Sequence, residues 1–207
     1  MTKSHQPHRL HQITPVANLA QSAAAAFNGA KYHLERARSI ANEGKKQYGQ
    51  FNSDKFLWEI RAFFWEMASS YEIILQWANR EFDLGLSEEK VRYRNVVKKG
   101  TPQRNTKRWR DIKKYLSKVY DSEWHYEIRQ YRHFNIHRAF TWIQCAVRMP
   151  EPFEDYKDAP IEEGKLVALQ ITPARKGQTE GGDLFIYLDN YVKKMAELGQ
   201  KVFRESD

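Results

Sequence analysis

The chain contains one cysteine, Cys145, among its 207 residues. A lone cysteine cannot form an intramolecular disulfide, and it cannot supply the several thiolates of a structural zinc site. A glycine-rich phosphate loop is also missing, because Gly177, Gly181 and Gly182 lack the strand–loop–helix pattern with its lysine. The sequence therefore excludes a disulfide scaffold, a thiolate metal centre and a P-loop.

Long apolar runs are missing as well. Residues 1–15 have no apolar core of the kind that a signal peptide carries. The most apolar stretch, residues 56–78, is interrupted by four charged side chains, whereas a membrane helix needs roughly 18 uninterrupted apolar residues. We therefore expect a soluble, cytoplasmic protein with no membrane partner.

The composition that is present supports a packed core. Hydrophobic residues make up 41% of the chain and aromatic residues 14%. Because this apolar content can form a packed core, we do not expect the whole chain to be disordered. The formal net charge is +8, and a basic protein favours polyanionic partners. The length fits one domain, which we place at residues 16–207 after a flexible tail at residues 1–15.

The spacing of the apolar residues predicts a mainly α fold, a helical bundle. We expect helices at 16–47, at 53–82 with Ser53 as its N-cap, in two polar segments within 87–120, and at 122–148 up to Pro150. Residues 149–183 read as a linker that could hold a short β-hairpin, with a strand at 166–171 and its tip at 176–182. A last helix follows at 184–204, capped by Asp183. Because the second helix is apolar around most of its circumference, we expect it in the middle of the bundle.

Residues 90–118 form a basic segment. They contain twelve Lys and Arg residues and a single acid, Asp111, so their local charge is 12 − 1 = +11. Interleaved aromatic residues such as Trp109 and Tyr115 give the mixture that binds phosphates and stacks bases. We take as candidate nucleic-acid-binding residues Arg104, Lys107, Arg108, Arg110, Lys113 and Lys114. The alternative is an ordinary helix with a buried apolar stripe and a solvated lysine face, and the two interpretations are compatible.

An arginine interrupts the apolar face of the predicted helix 122–148. At about 100° per residue, Arg132 falls near the centre of an arc that holds Ile128, Tyr131 and Ile136. An arginine cannot lose its charge, so burial requires a partner. Glu59 and Glu66 on the second helix are the internal candidates. A buried ion pair, or an arginine at the rim of the bundle, would be the purely structural explanation.

Histidines beside Arg132 favour a chemical role. His137 lies five residues later and His133 next to the arginine. Histidine can accept the proton of a ribose 2′-hydroxyl near neutral pH, and arginine can bind a phosphate and stabilise its developing charge. His133 and His137 could instead share a metal, but no carboxylate accompanies them, so we expect no metal and no cofactor. Cys145 has no neighbouring base and reads as a packing residue.

The segment from Arg132 to His137 resembles the Arg-x4-His signature of HEPN domains. The preceding residues 127–131 and the aromatic segment 56–82 also resemble that family, and the resemblance extends over about residues 17–148. It implies a helical bundle, often a homodimer, and in many members a metal-independent ribonuclease of toxin–antitoxin, phage-defence or CRISPR systems. The implied active residues are Arg132 and His137, with His133 as a polar helper and a 2′,3′-cyclic phosphate as product.

Residues five apart on a helix point about 140° away from each other, so one chain presents Arg132 and His137 awkwardly to one phosphate. The resemblance implies that two copies face each other across a two-fold axis, which would bring two pairs into one cleft. A tyrosine that one subgroup carries two residues after the histidine is Ala139 here. That departure argues against the nucleotidyltransferase antitoxin with which the subgroup is partnered.

Two alternatives to a ribonuclease remain open. The chain could be a non-catalytic HEPN-like module that binds RNA or nucleotides through the basic segment. It could also be a dimeric interaction module, with a protein antitoxin or regulator as a further partner, in which Arg132 serves the interface. An open cleft around Arg132 would favour the nuclease, and an arginine sealed against Glu59 or Glu66 would favour the structural role.

Overall fold

Two long antiparallel helices carry nearly half of the buried hydrophobic residues. Helix α1 (Val16–Lys46) and helix α2 (Ser53–Glu81) are joined by a short connection in which Phe51 is buried. The computed structural model describes residues 16–137, 143–151, 158–171 and 182–203. Both helices are confirmed to within a residue, but the N-cap of α2 is Asn52, whose side chain accepts a hydrogen bond from the Lys55 backbone N–H at 2.8 Å. The predicted tail lies outside the described residues.

Four shorter helices complete the helical part of the described chain. They are α3 (Tyr93–Lys99), α4 (Thr106–Tyr120), α5 (Glu123–His137) and α6 (Leu184–Phe203). The two polar segments predicted within 87–120 are α3 and α4, and the carboxylate of Asp183 caps α6 as expected by accepting from the Phe185 and Ile186 N–H groups. The mainly α fold class is confirmed.

The predicted continuation of α5 to residue 148 is wrong. Residues Ile143–Arg148 form strand β1, which pairs antiparallel with β2 (Lys165–Ile171), and β2 pairs in turn with β3 (Gly182–Asp183). In residues 143–148, half-buried Ile143, Cys145 and Val147 alternate with exposed neighbours, which is the period of a strand. The helix was extended through these residues because a few apolar residues in a short segment fit one side of a helix as well as the alternation of a strand. The hairpin before the last helix is confirmed by the β2–β3 pairing, while its tip at 176–181 lies outside the described residues.

Helix α2 lies between α1 and α5, but one face of it is uncovered. Its Phe56, Phe63 and Phe64 are buried, whereas Trp58 is 71% exposed and Trp65 is 43% exposed. The expectation that α2 is covered nearly all round is therefore wrong for this face. Since Trp58 and Trp65 are seven residues apart, they lie on one side of the helix, two turns from each other.

Aromatic contacts join α2, α5 and α6. The ring of Phe64 lies 4.7 Å from that of Tyr131 and 6.5 Å from that of Tyr191. The Tyr191 hydroxyl also donates a short hydrogen bond to the buried carboxylate of Glu127. These contacts fix the face of α5 that turns towards the core, and so they decide where Arg132 stands. No helix in the described part of the chain is long and apolar enough to cross a membrane.

Candidate functional site

Arg132 stands at the surface between α5 and α2. Its Nη1 donates to Oε1 of Glu72 at 2.5 Å, and its guanidinium carbon lies 5.0 Å from the centre of the Trp65 ring. The Arg132 side chain keeps 26% of its surface exposed and that of Glu72 keeps 58%. The alternative of a buried ion pair with Glu59 or Glu66 is therefore wrong, and Arg132 lies at the rim of the bundle, as the other structural explanation had it.

Glu59 and Glu66 face the other neighbour of α2. Glu59 lies 2.7 Å from Nδ1 of His33 and 3.7 Å from Nε of Arg36, both on α1. The Glu66 side chain packs over Gly29, also on α1. Glu72 lies six residues beyond Glu66, which turns it by about 240° around the helix and towards α5. The carboxylate partner of Arg132 was correctly expected on α2, but Glu72 lies on a different face of that helix from Glu59 and Glu66.

The two candidate histidines lie in the last turns of α5. His133 is exposed beside Arg132. His137 is the last residue of the helix, and its side chain lies outside the described side chains. The structure therefore puts the backbone of the Arg-x4-His segment on one helix, and the roles of Arg132, His133 and His137 stay predictions.

A cavity of about 610 Å³ adjoins Arg132. It lies between α2, α5 and the segment that leads into α3. Five charged residues line it: Arg92, Arg94, Arg129, Arg132 and Glu72. Four positive charges against one negative charge give a local balance of +3, so the cavity favours an anion.

A stack of flat groups forms one side of this cavity. The rings of Tyr93 and Tyr120 lie 3.5 Å apart with an angle of 3° between their planes. The guanidinium carbon of Arg129 lies 3.8 Å from the centre of the Tyr120 ring, and its Nη2 donates to the Tyr120 carbonyl at 3.1 Å. Three groups from α3, α4 and α5 are thereby fixed against each other at the cavity wall.

His125 lines the same cavity from inside the core. It is buried, its ring centre lies 4.0 Å from that of Tyr71, and its Nδ1 has no hydrogen-bond partner. Burial lowers the pKa of His125 to about 3, and the nearby charge of Arg129 acts in the same direction. The imidazole is therefore neutral at pH 7. The Nε atom of Arg129 is also buried without a hydrogen-bond partner.

Sequence reasoning missed both Arg129 and His125. The available signal was spacing, since Arg129 precedes Arg132 by three residues and His125 precedes Arg129 by four. Such positions share one face of a helix. Site residues were chosen by the fixed spacing of the motif alone, so these two positions on the same helix face were not grouped with Arg132.

The basic segment forms an exposed stripe along α4. Lys107, Arg110, Lys114 and Lys118 are exposed, and their spacing places them on one face of the helix. The opposite face buries Trp109, Ile112, Leu116 and Val119. Arg104 is exposed just before α4, and Lys113 is half-buried beside the stripe. The buried-stripe interpretation of α4 is thus correct, and it leaves a basic face towards solvent.

Arg108 differs from the other candidate cations because the protein itself uses its guanidinium. Nη1 donates to Glu81 at 3.2 Å, Nη2 donates to the Val202 carbonyl at 3.3 Å, and the group lies 5.6 Å from the Trp77 ring centre. These contacts hold α4 against α2 and α6. Arg108 is therefore a packing residue, and we leave it out of the binding surface proposed below.

No group of His, Cys, Asp and Glu in the described residues has an arrangement that could hold a metal ion. Cys145 is half-buried on β1. A family model described as HEPN_Cthe2314-like HEPN matches residues 13–163, which include α1 to α5 and β1. Searches of curated proteins and of solved structures give no significant match.

Proposed function

The chain belongs to the HEPN family, and on that premise we propose that it is a metal-independent endoribonuclease. Membership supports a nucleotide-binding or RNase-type module in general. The more specific proposal is that Arg132 and His137 cleave single-stranded RNA and leave a 2′,3′-cyclic phosphate. Toxin–antitoxin or phage-defence systems are the setting that fits this activity.

The observation that carries the proposal is the environment of Arg132. Its guanidinium is neither sealed in the core nor free in solvent, but lies at the rim of a cavity with a net positive lining. The exposed carboxylate of Glu72 forms an ion pair with this guanidinium. A phosphate could replace that carboxylate, because both anions offer oxygens to the planar guanidinium.

The proposed chemistry uses the chain's own groups. His137 accepts the proton of the ribose 2′-hydroxyl, whose oxygen attacks the adjacent phosphorus. Arg132 binds the phosphate oxygens and stabilises the negative charge that grows on them. The bond from phosphorus to the 5′-oxygen breaks, and that oxygen takes a proton from a protonated His133 at the same end of α5. The products are a 2′,3′-cyclic phosphate and a free 5′-hydroxyl.

Two copies of the chain would pair through the uncovered face of α2. A hollow of about 290 Å³ there is lined by Trp58, Arg61, Ala62, Trp65 and Glu66. If two α2 helices pack antiparallel about an axis between residues 63 and 64, Trp65 lies opposite the partner's Ala62. In the same register Arg61 lies opposite the partner's Glu66. The bulky Trp65 would thus pack against a small side chain, and the two opposite charges would pair.

This pairing would also bring the two motifs together. Arg132 lies 5.0 Å from the Trp65 ring, and Trp65 lies within one helical turn of the proposed axis. Both arginines would therefore flank the axis, as a composite site requires. An uncovered pair of tryptophans on one helix face is itself typical of an interaction surface.

The dimer is tested by charge exchange. Sedimentation should show a dimer for the wild type, monomers for Arg61→Glu and for Glu66→Lys, and a dimer again for Arg61→Glu/Glu66→Lys. Trp58→Ser/Trp65→Ser should also give a monomer. Ile186→Ser removes another exposed apolar side chain, on α6, and should leave the dimer intact. A monomeric wild type, or no rescue by the double charge exchange, would refute this interface.

The nuclease is tested with Arg132→Ala and His137→Ala on labelled single-stranded RNA. Both substitutions should abolish cleavage and leave the helical circular dichroism unchanged, while Lys45→Ala at the end of α1 should cleave at the wild-type rate. Cleavage should continue in EDTA and give cyclic phosphate ends. Wild-type rates in both motif variants, or a strict need for a divalent metal, would reject the mechanism.

A non-catalytic RNA-binding module is the second candidate, and the exposed basic stripe of α4 favours it. A non-catalytic module should bind RNA in a salt-dependent way and should not cleave it at any protein concentration. A protein antitoxin or regulator is a further partner compatible with either function.

A further inference from the structure

We propose that the cavity beside Arg132 binds one phosphorylated nucleotide unit, with its phosphate at Arg92 and Arg94 and its base against the tyrosine stack. This inference rests on the proposed function, because it assigns the ribonuclease a subsite next to the scissile phosphate. It concerns residues that lie outside the Arg-x4-His segment.

Size and charge identify the class of ligand. A cavity of about 610 Å³ lies within the range of roughly 300–1,000 Å³ that small-molecule sites occupy. Arg92 and Arg94 are exposed on one side of it, and Arg129 lies half-buried on the other. Two guanidinium groups on one wall can both donate to one phosphate, which a single surface lysine cannot do.

The tyrosine stack supplies a surface for a base. Tyr120 is held between Tyr93 on one face and Arg129 on the other, since both lie within 4 Å of its ring. This order leaves Tyr93 as the outer ring of the stack, half-buried and lining the cavity. A base laid on an aromatic ring gains about 1–3 kcal/mol and needs no particular sequence.

Two polar atoms of cavity-lining residues are buried behind the cavity wall. Nδ1 of His125 and Nε of Arg129 are buried without hydrogen-bond partners, and both residues line the cavity. Because both nitrogens are closed to solvent, a ligand in the cavity would contact other atoms of these residues.

The two sequence features that point to RNA meet at this cavity. Arg92 and Arg94 belong to the basic segment, whereas Arg129 and Arg132 belong to the helix of the motif. Tyr120, the last residue of α4 and of the core-facing side of that helix, lines the same cavity.

Direct binding tests the subsite without using cleavage as the readout. Calorimetry would compare a nucleoside 5′-monophosphate, the unphosphorylated nucleoside, inorganic phosphate and a non-cleavable 2′-O-methyl tetranucleotide on the full-length protein. The test variant is Arg92→Gln/Arg94→Gln. Its matched control is Lys45→Gln/Lys46→Gln, which removes the same charge from two exposed residues at the end of α1. We expect the monophosphate to bind more tightly than phosphate or nucleoside, and the test variant to lose at least tenfold in affinity while the control changes less than twofold.

The two forms of the ligand give different results. A tetranucleotide that binds much more tightly than the monophosphate identifies an RNA strand as the occupant, and equal affinities identify a free nucleotide. Tyr93→Leu should lower the affinity for the monophosphate but not for inorganic phosphate, which separates the base from the phosphate. Equal affinities of the two charge variants, or inorganic phosphate that binds as tightly as the monophosphate, would overturn the proposal.

The outcome is separable from that of the nuclease proposal. Nucleotide binding that depends on Arg92 and Arg94 in a protein that cuts no RNA supports the subsite and rejects the nuclease. Cleavage that depends on Arg132 and His137, without nucleotide binding in the cavity, supports the nuclease and rejects the subsite.

Discussion

Nη1 of Arg132 lies 2.5 Å from Oε1 of Glu72, so the arginine that we propose for phosphate binding is occupied by a carboxylate of its own chain. The pair is partly exposed, and such pairs contribute only about 0–1 kcal/mol to stability. A contact of this strength is easily replaced by a phosphate. The same guanidinium lies over the Trp65 ring, 5.0 Å from its centre.

Glu72→Gln should therefore raise the affinity of the protein for single-stranded RNA. The substitution removes the competing anion and changes the charge of the cavity lining from +3 to +4. We expect an affinity increase of severalfold at low salt, measured by fluorescence anisotropy, with little change in the free energy of unfolding. Glu43→Gln removes an exposed charge from α1, away from the cavity, and is the control. An unchanged or weakened affinity in Glu72→Gln alone would show that Glu72 does not compete with RNA.

The exposed stripe of α4 should dominate the salt dependence of RNA binding. Lys107→Gln/Arg110→Gln/Lys114→Gln removes three cations, and each phosphate contact on a single strand contributes a slope of about 0.7 in log K against log salt. The slope should fall by about 2 if all three contact phosphates. Lys31→Gln/Lys45→Gln/Lys46→Gln removes three exposed charges from α1 and should keep the wild-type slope. Equal slopes in the two triple variants would make the stripe an ordinary solvated face.

Apolar periodicity predicted most of the helical fold. The last helix is an example, since Leu184, Leu188, Tyr191 and Met195 recur at three- and four-residue steps and are all buried. Apolar periodicity predicted the helices correctly because the spacing that marks a helix lies within the helix's own residues. Residues 143–148 were wrongly predicted as helix because a strand is stabilised by hydrogen bonds to a partner strand that lies elsewhere in the sequence. Six residues of β1 become a strand by pairing with β2, which begins seventeen residues after β1 ends.

The sequence predicted which types of residue form the site, but it did not predict which of these residues contact each other. The sequence pointed to Arg132 as an arginine that needs a carboxylate on α2, and Glu72 is that partner. Choosing Glu72 over Glu59 or Glu66 requires the angle at which α1 and α5 pack on α2, which is a tertiary property. The cavity was not foreseen because it joins Arg92 and Arg94 to residues more than thirty positions away along the chain.

Tyr191→Phe should destabilise the fold through the buried carboxylate of Glu127. The Tyr191 hydroxyl donates to that carboxylate inside the core, and burial together with this hydrogen bond raises the pKa of Tyr191. Removing the hydroxyl takes a donor away from a buried charge, at a cost of about 1–3 kcal/mol. Urea unfolding would measure the change. Tyr32→Phe removes the hydroxyl of an exposed tyrosine on α1 and should change the free energy of unfolding by less than about 0.5 kcal/mol. Similar values for the two variants would indicate that the Glu127 contact adds nothing to stability.

Lowering the pH should destabilise the protein through His125. The pKa of His125 is about 3 in the fold, whereas an unfolded histidine has a pKa of about 6.5. Between these values the unfolded chain binds the extra proton, so the stability present above pH 6.5 is lost as the pH falls towards 3. For this group alone the loss between pH 7.5 and pH 5 is roughly 2 kcal/mol.

His125→Phe isolates that contribution, because phenylalanine can keep the ring contact with Tyr71 and cannot titrate. The difference in unfolding free energy between pH 7.5 and pH 5, measured in urea, should be smaller in His125→Phe than in the wild type by about that amount. His133→Gln removes an exposed histidine from the same helix and should keep the wild-type difference. If His125→Phe loses as much stability on acidification as the wild type, His125 is protonated in the fold or reaches solvent. In that case the buried, neutral imidazole at the cavity wall is not the form that meets the ligand.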